Sequence, residues 1–204
     1  MGRFKYLIAG LLVLLINASI LGIYTDISAS MADTLIAGDS FLVLKFWYGL
    51  RLPLTKRIIK QVYQPKSNDV LIFSYPLDPR QIHIKRCVAS GGQTVEIIEK
   101  KLYVDGAEIP LPAKGKHDDP DIIPKGPSGS GKRDFIPRVV VPDSTLFVMG
   151  DNRDYSIDSR IWGFLPEENV RGKVWMIILS TNPEVSWLNI KRKIRWDRMF
   201  KRVL

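Results

Sequence analysis

The chain has 204 residues, with 30 Lys and Arg against 21 Asp and Glu and a formal net charge of +9. Its single cysteine excludes an intrachain disulfide, and its two scattered histidines do not suggest a metal centre, so we predict neither a metal nor another cofactor. Beyond an apolar N-terminal run, about 180 residues remain, which is enough for one domain with a hydrophobic core.

The first predicted element is a transmembrane helix over Tyr6–Tyr24, which is almost wholly apolar. About nineteen residues at roughly 1.5 Å each cover about 29 Å, enough to cross a bilayer core. Because Arg3 and Lys5 precede the run, residues 1–5 are predicted to be cytoplasmic and residues 25–204 extracytoplasmic. The alternative is a cleavable signal peptide, since Ser28–Ser30 has the small-x-small form of a cleavage site, but the length of the run favours an anchor.

The remaining chain is predicted to be mainly β. Short segments rich in Val, Ile, Leu and aromatic residues are separated by Gly, Pro, Asn and Asp. These predicted strands are Ser40–Phe46, Val70–Ser74, Ile82–Val88, Thr94–Ile98, Lys101–Val104, Val139–Val141, Thr145–Met149 and Lys173–Leu179. One internal helix is predicted at Leu54–Tyr63, and the Pro- and Gly-rich residues 110–137 are predicted to form an irregular cap or loop inserted in the domain.

Two further segments bear on possible partners. Gly126–Lys132 begins like a phosphate-binding loop, but Arg133 stands where Ser or Thr would hold magnesium, so no nucleotide is predicted to bind. Residues 187–204 interleave tryptophans with Lys and Arg, which suits a basic amphipathic tail at a membrane surface, with an ordinary basic surface tail as the alternative. Beside a membrane anchor, the basic charge favours anionic lipid rather than nucleic acid as the partner.

The most distinctive segment is the polar run Gly150–Arg160, in which Asp and Arg alternate between two apolar stretches. Apolar neighbours draw such a cluster toward the interior, where each charge needs a partner. The alternation supplies those partners, so the run predicts an ordered ion-pair network that could hold a catalytic group in place. The alternative is a salt-bridged turn that only shapes the fold.

A lysine general base is a second candidate feature. Lys85 lies in the apolar strand pattern Ile82–Val88, and a lysine can activate a serine only if desolvation lowers its pKa from about 10.4 toward roughly 7–8. An edge-strand lysine that discourages aggregation is the alternative interpretation. A triad through His83 or a Cys-His pair through Cys87 is conceivable, but no local sequence presents either as part of a nucleophilic site.

Three segments read in order resemble type I signal peptidases, which are Ser-Lys serine endopeptidases. Ser28–Leu35, followed by Gly38-Asp39, is similar to the family's nucleophile segment just after a membrane anchor. Lys85-Arg86 is similar to its general-base segment, and Gly150–Arg160 is a near-complete match to its third signature. Asn68–Phe73 resembles a weaker fourth signature.

The resemblance implies a role for each matching residue. Ser30 would be the acylating nucleophile and Lys85 the neutral amine that takes its proton. Ser28 would join the backbone N–H of Ser30 in an oxyanion hole, and Ser156 would orient the lysine. The supporting ion-pair network would comprise Arg86, Asp151, Arg153, Asp158 and Arg160.

The resemblance also implies a fold and a substrate. The fold would be a mainly antiparallel β domain on the extracytoplasmic side of the bacterial cytoplasmic membrane. Met31, Leu35 and Ile84 would line shallow pockets that select small residues, so the substrate would be a preprotein with its signal peptide, bound as an added strand.

Some residues depart from the family pattern. Asp33 stands where a proline is usual, and residues 89–93 replace the usual turn after the lysine strand. These departures leave open a specialised peptidase with few substrates, such as a pilin or a conjugation protein. An inert membrane-anchored assembly scaffold is the alternative of a different class.

Overall fold

The computed structural model describes residue 6 and residues 21–25, 28–51, 58–60, 63–124 and 131–204. Its strands, in chain order, are β1 (Leu21–Thr25), β2 (Asp39–Leu44), β3 (Leu50–Arg51), β4 (Ile58–Lys60), β5 (Val70–Ser74), β6 (Ile82–Ser90), β7 (Thr94–Ile98), β8 (Lys101–Val104), β9 (Ala107–Ile109), β10 (Ile136–Val140), β11 (Thr145–Met149), β12 (Leu165–Pro166) and β13 (Val170–Ser180). Within these ranges the helices are short, namely α1 (Ser159–Trp162), α2 (Ile190–Lys193) and 3-10 turns at Glu167–Asn169 and Trp196–Arg198.

The strands form a seven-stranded sheet, a four-stranded sheet and a two-stranded ribbon. The large sheet has the order β1-β2-β13-β5-β6-β11-β12, the smaller one β10-β7-β8-β9, and the ribbon pairs β3 with β4. Every one of these neighbouring pairs is antiparallel. The prediction of a mainly antiparallel β fold is therefore confirmed, and each of the eight predicted strands overlaps an observed one.

Sequence pattern explains where each strand lies in the sheets. All five residues of β5 are buried, and the first four are apolar, because both faces of this central strand are covered. In β7 and β8 buried and more exposed residues alternate, as expected when one face packs on a core and the other faces water. One core cluster lies at the inner face of the small sheet, around Val95, Ile97 and Leu102. Another packs β2, β5 and β13 against Met31 and Leu35.

The predicted transmembrane helix is wrong at its C-terminal end. Leu21–Thr25 is a strand that pairs with β2, in a register that joins Leu21 to Leu44 and Thr25 to Ser40. Apolar residues are compatible with both a helix and a strand. Here the backbone of Leu21–Thr25 forms hydrogen bonds with the edge of β2, and Ile, Tyr and Thr favour a strand. Residues 7–20 of the predicted span lie outside the described residues. In the part of the chain that the structure describes, no helix is long and apolar enough to cross a membrane.

The other predicted irregular and helical segments have mixed outcomes. Within the predicted helix Leu54–Tyr63, residues 58–60 form β4, which pairs with β3, while residues 52–57 and 61–62 lie outside the described residues. Residues 110–124 contain no helix or strand, and β10 begins at Ile136. The phosphate-loop-like residues 126–130 also lie outside the described residues.

The C-terminal segment folds back onto the large sheet. Ile194 bridges to Thr181 and Arg202 bridges to Met176, so the segment runs along the half of β13 that β5 does not cover. Val203 is buried in the cluster that contains Met31. Large apolar side chains on this segment remain exposed, namely Trp187, Leu188, Ile190, Trp196 and Phe200.

Candidate active site

The structure brings Ser30 and Lys85 into direct contact. Lys85 Nζ donates a hydrogen bond to Ser30 Oγ at 2.5 Å, and the two residues are 9% (Ser30) and 4% (Lys85) exposed. Ser28 Oγ lies 3.1 Å from Ser30 Oγ. Burial disfavours the ammonium form of a lysine, which is the condition that a lysine general base requires. The arrangement can therefore transfer a proton from the serine hydroxyl to the amine.

The backbone around this pair explains its position. Ser30 begins a turn, closed by the Leu35 N–H donating to Met31 O at 2.8 Å, that leads from β1 into β2. Lys85 lies in β6 opposite Leu71 of β5. A further bond holds the serine, since the Asn152 N–H donates to Ser30 O at 3.1 Å.

A groove runs past the Ser30–Lys85 contact. Strand β11 pairs with β6 only from Arg86 to Ser90, so among the described strands none pairs with residues 82–85 on that side. The resulting cavity has a volume of about 450 Å³ and is lined by Tyr24, Thr25, Ser28, Ala29, Ser30, Ile72, Ile82, His83, Ile84, Lys85, Tyr155 and Ile157. An extended peptide could add to this open edge through main-chain hydrogen bonds.

A buried ion pair lies next to the lysine in sequence. Arg86 Nε and Nη2 donate to the two carboxylate oxygens of Asp151 at 2.7 and 2.6 Å. Thr34 Oγ1 donates to Asp151 Oδ2 at 2.6 Å, and Arg86 Nη1 donates to the Asn68 carbonyl at 2.8 Å. The pair therefore joins the strand that carries Lys85 to the turn that carries Ser30.

A second buried ion pair orders the end of the polar run. Arg160 Nε and Nη2 each donate to Asp158 at 2.8 Å, and the Gly150 N–H donates to Asp158 Oδ2 at 3.0 Å. Arg160 Nη2 also donates to the Arg153 carbonyl at 2.5 Å. Burial alone would raise the pKa of Asp158, but the charge and hydrogen bonds of Arg160 outweigh it and lower the pKa below its ordinary value. Asp158 also caps α1.

The prediction that Arg153 belongs to the ion-paired set is wrong. Arg153 is 2% exposed, yet within the described ranges no carboxylate lies close enough to form a salt bridge with it. Its Nη1 contacts Met149 Sδ at 3.9 Å, while its Nε has no hydrogen-bond partner there. Burial, reinforced by the positive charge of Arg160, lowers the pKa of Arg153 to about 10. Asp151 and Asp158 each already pair with another arginine, and Asp154 pairs with Lys100, so no acid of the run remains for Arg153.

Among the described residues, the structure does not show the predicted contacts of Ser156 with Lys85, or of Met31 and Leu35 with the groove. The hydroxyl of Ser156 lies near Gly150 and helps to lower the pKa of Asp158, so its orienting of Lys85 stays a prediction. Met31 and Leu35 are fully buried in the core and do not line the groove. Of the three predicted substrate-binding residues, only Ile84 lies at the groove surface.

The surroundings of Cys87 exclude it as an alternative nucleophile. Cys87 is fully buried, and its burial raises the pKa of the thiol to about 12, so it remains protonated at neutral pH. His83 lines the groove, with its ring stacked on Tyr75 at 4.5 Å between centroids. Burial lowers the pKa of His83 below its ordinary value. His83 is therefore neutral at physiological pH.

Three further side chains belong to the site without a role predicted from the sequence. Thr34 is one of them, and its hydroxyl links the serine turn to Asp151. Tyr155 and Ile157 line the groove and are each 65% exposed. Two large apolar residues flanking a serine inside an otherwise polar run are a signal that could have identified them as groove residues.

Comparison with known proteins gives consistent matches. The family model described as signal peptidase, peptidase S26, matches residues 3–179. The chain is similar to signal peptidase I of Pseudomonas fluorescens, with 32% identity over 79% of this chain and 66% of the relative, and to that of Pseudomonas aeruginosa, with 33% identity over 78% and 65%. It is also similar to signal peptidase I of Aquifex aeolicus, with 32% identity over 83% of this chain and 80% of the relative. The chain thus spans slightly less than two thirds of the length of the two Pseudomonas proteins.

Proposed function

The chain belongs to the signal peptidase family, peptidase S26, and we propose that it is a membrane-anchored serine endopeptidase that removes N-terminal signal peptides from exported preproteins. Cleavage would follow a small-x-small site. The observation that carries this proposal is the buried contact between Lys85 Nζ and Ser30 Oγ at the edge of an open groove.

The proposed reaction is acyl transfer through Ser30. As Ser30 Oγ attacks the scissile carbonyl, the neutral amine of Lys85 takes its proton. The oxyanion receives hydrogen bonds from the Ser28 hydroxyl and the Ser30 N–H, and the ammonium of Lys85 then protonates the leaving amine. The signal peptide remains as an ester on Ser30, until Lys85 deprotonates a water that hydrolyses this ester.

The substrate would bind as an added strand along residues 82–85. Its side chains on one face would enter the groove, where Ile72, Ile82 and Ile84 provide apolar walls. Such walls disfavour charged side chains, which would lose their hydration there.

The proposed location is the bacterial cytoplasmic membrane, with the folded domain from β1 onward on the extracytoplasmic side. The apolar residues that precede β1 would anchor the domain. The exposed Trp187, Trp196 and Phe200 alternate with basic residues along the C-terminal segment, which suits contact with an anionic lipid surface. Alkaline extraction of membranes and protease accessibility in spheroplasts test this location.

The activity is tested with a preprotein that carries an Ala-x-Ala cleavage site. We expect wild-type protein in detergent to release mature product, and Ser30→Ala and Lys85→Ala to release none. His83→Ala and Cys87→Ser serve as matched groove and strand controls and should keep activity. If folded wild-type protein cuts no such preprotein, the proposal fails, and a narrow-specificity peptidase or an assembly scaffold takes its place.

A further inference from the structure

The turn that carries Ser30 is tied to a carboxylate buried at the start of β2. Asp39 is 0% exposed, and its Oδ2 accepts a hydrogen bond from the Ile36 N–H at 3.0 Å. Asp33 and Gly38 in this turn both have positive φ, at 71° and 93°. A turn that passes twice through the left-handed region needs contacts elsewhere to hold it in one conformation.

Four of those contacts come from one arginine of the C-terminal segment, Arg198. Arg195 Nη1 also donates to the Ala37 carbonyl at 3.0 Å, and the Thr181 N–H donates to the Gly38 carbonyl at 2.9 Å. Arg198 Nε and Nη2 donate to the two oxygens of Asp39 at 3.2 and 2.6 Å. The same Nη2 donates to the Thr34 carbonyl at 3.0 Å, and Nη1 donates to the Asp33 carbonyl at 3.4 Å. The Arg198 side chain is only 12% exposed, so water competes little for these bonds.

The segment that presents Arg198 is itself fixed to the sheet. The Arg195 N–H donates to Ser180 O at 2.9 Å, and the Phe200 N–H donates to Ile177 O at 2.7 Å. These bonds flank Arg198 on both sides and attach its backbone to β13. The backbone around Arg198 is therefore fixed to β13, while the guanidinium nitrogens of Arg198 bind the turn.

The opposite side of the turn is held by the other ion pair. Thr34 accepts from Arg198 through its carbonyl and donates through its hydroxyl to Asp151, the partner of Arg86. Thr34 therefore stands between two buried ion pairs, of which the second adjoins Lys85. Any movement of residues 33–39 must break bonds on one side or the other.

From this geometry we propose that Arg198 is a positioning residue for the reaction, which keeps Ser30 in contact with Lys85 by fixing residues 33–39. It touches neither substrate nor the reacting atoms. The proposal rests on the proposed function, because it assumes that Ser30 and Lys85 perform the chemistry. It also gives the C-terminal segment a catalytic purpose besides contact with the membrane surface.

The planar fork of arginine, rather than its charge, carries the proposed role. A lysine at position 198 could pair with Asp39 but could not donate to the carboxylate and to both carbonyls at once. Arg198→Lys should therefore keep the buried charge pair and lose the clamp on Asp33 and Thr34.

The test measures kcat, KM and the thermal unfolding midpoint of the full chain in detergent micelles with the preprotein substrate. Arg198→Lys should unfold within a few degrees of wild type, while its kcat falls about tenfold or more and its KM changes less than about twofold. The matched control is Arg192→Met, which removes a positive charge from an exposed residue of the same segment that has no side-chain bond to the turn. Its kcat should equal that of wild type.

A second pair of variants separates positioning from stability. Arg198→Met leaves the Asp39 carboxylate buried without its counter-charge, so both the unfolding midpoint and kcat should fall. Adding Asp39→Asn removes that charge, so the midpoint should recover while kcat stays low because the turn still lacks the clamp.

The outcomes distinguish this inference from the proposed function. If kcat recovers together with the midpoint in the double variant, or if Arg198→Lys equals wild type, Arg198 only supports the fold and the inference is overturned. Ser30→Ala is measured in parallel. Cleavage by that variant would overturn the proposed function itself, whereas its inactivity beside a normal Arg198→Lys would overturn only the role of Arg198.

Discussion

Replacing Asp151 by asparagine should destabilise the fold strongly. Asp151 is 0% exposed and accepts three hydrogen bonds, two from Arg86 and one from Thr34. The introduced amide would place an NH2 group against one of these donors and leave the 1%-exposed Arg86 without its counter-charge. Removing one partner of a buried ion pair costs about 3–5 kcal/mol. Arg86 keeps its bond to the Asn68 carbonyl, so we expect the lower end, about 3 kcal/mol.

That loss is large against a total folding free energy of about 5–15 kcal/mol. For a chain of this size it corresponds to a decrease of roughly 6–12 °C in the unfolding midpoint. The assay is thermal and denaturant unfolding in detergent at pH 7, with Arg86→Met combined with Asp151→Leu as the control. The double variant buries no unpaired charge and should recover much of the loss. A loss below about 1 kcal/mol in Asp151→Asn would refute the reasoning that this pair is dry and tightly coupled.

Three further predictions concern the site and its charges. Gly150→Ala should lower kcat by about a hundredfold. A Cβ at this position would lie 2.3 Å from Ser156 Oγ and 2.5 Å from Ser30 O, so it would displace the turn that carries Ser30. Steady-state cleavage of the preprotein measures kcat, and an unchanged kcat would contradict the prediction. Ser28→Ala should lower kcat about 10²- to 10³-fold with little change in KM, as for loss of one oxyanion donor, and a pure KM effect would exclude that role. Since the folded protein lowers the pKa of Asp158, the stability from this carboxylate is complete above its ordinary pKa of about 3.9 and is lost as pH falls through the lower folded value. Unfolding free energy measured from pH 6 to 2 should therefore fall below about pH 4, and the decrease should be smaller in Asp158→Asn.

The burial and pairing of the acids in Gly150–Arg160 could be predicted from the sequence because the signal is local. Charges of both signs within Gly150–Arg160, set between apolar stretches, indicated burial with pairing, and the structure contains Arg86–Asp151 and Arg160–Asp158. Arg153 shows the limit of that reasoning. The alternation of Asp and Arg indicates how many charged partners are available within the run. It does not indicate that Asp151 forms its ion pair with Arg86 of a distant strand.

The remaining differences come from long-range pairing. An apolar run has the same composition in a helix and in an edge strand, so only the partner β2 shows that Leu21–Thr25 is extended. The bonds from Arg198 to the serine turn join residues more than 150 positions apart, and nothing in either segment indicates the other. The family resemblance predicts that Met31 and Leu35 contact the substrate, but the turn at Ser30 directs both side chains into the core.

The central claim is that Ser30 forms a covalent ester with the signal peptide, and the most direct test is to capture that ester. A preprotein reaction is quenched in acid within one turnover, the protein is digested, and the Ser30 peptide is weighed by mass spectrometry. We predict an added mass equal to the C-terminal digestion fragment of the signal peptide less one water, located on Ser30 in wild type and absent in Ser30→Ala. Product formation without an adduct on Ser30, or an adduct on Cys87 or another residue, would contradict the claim.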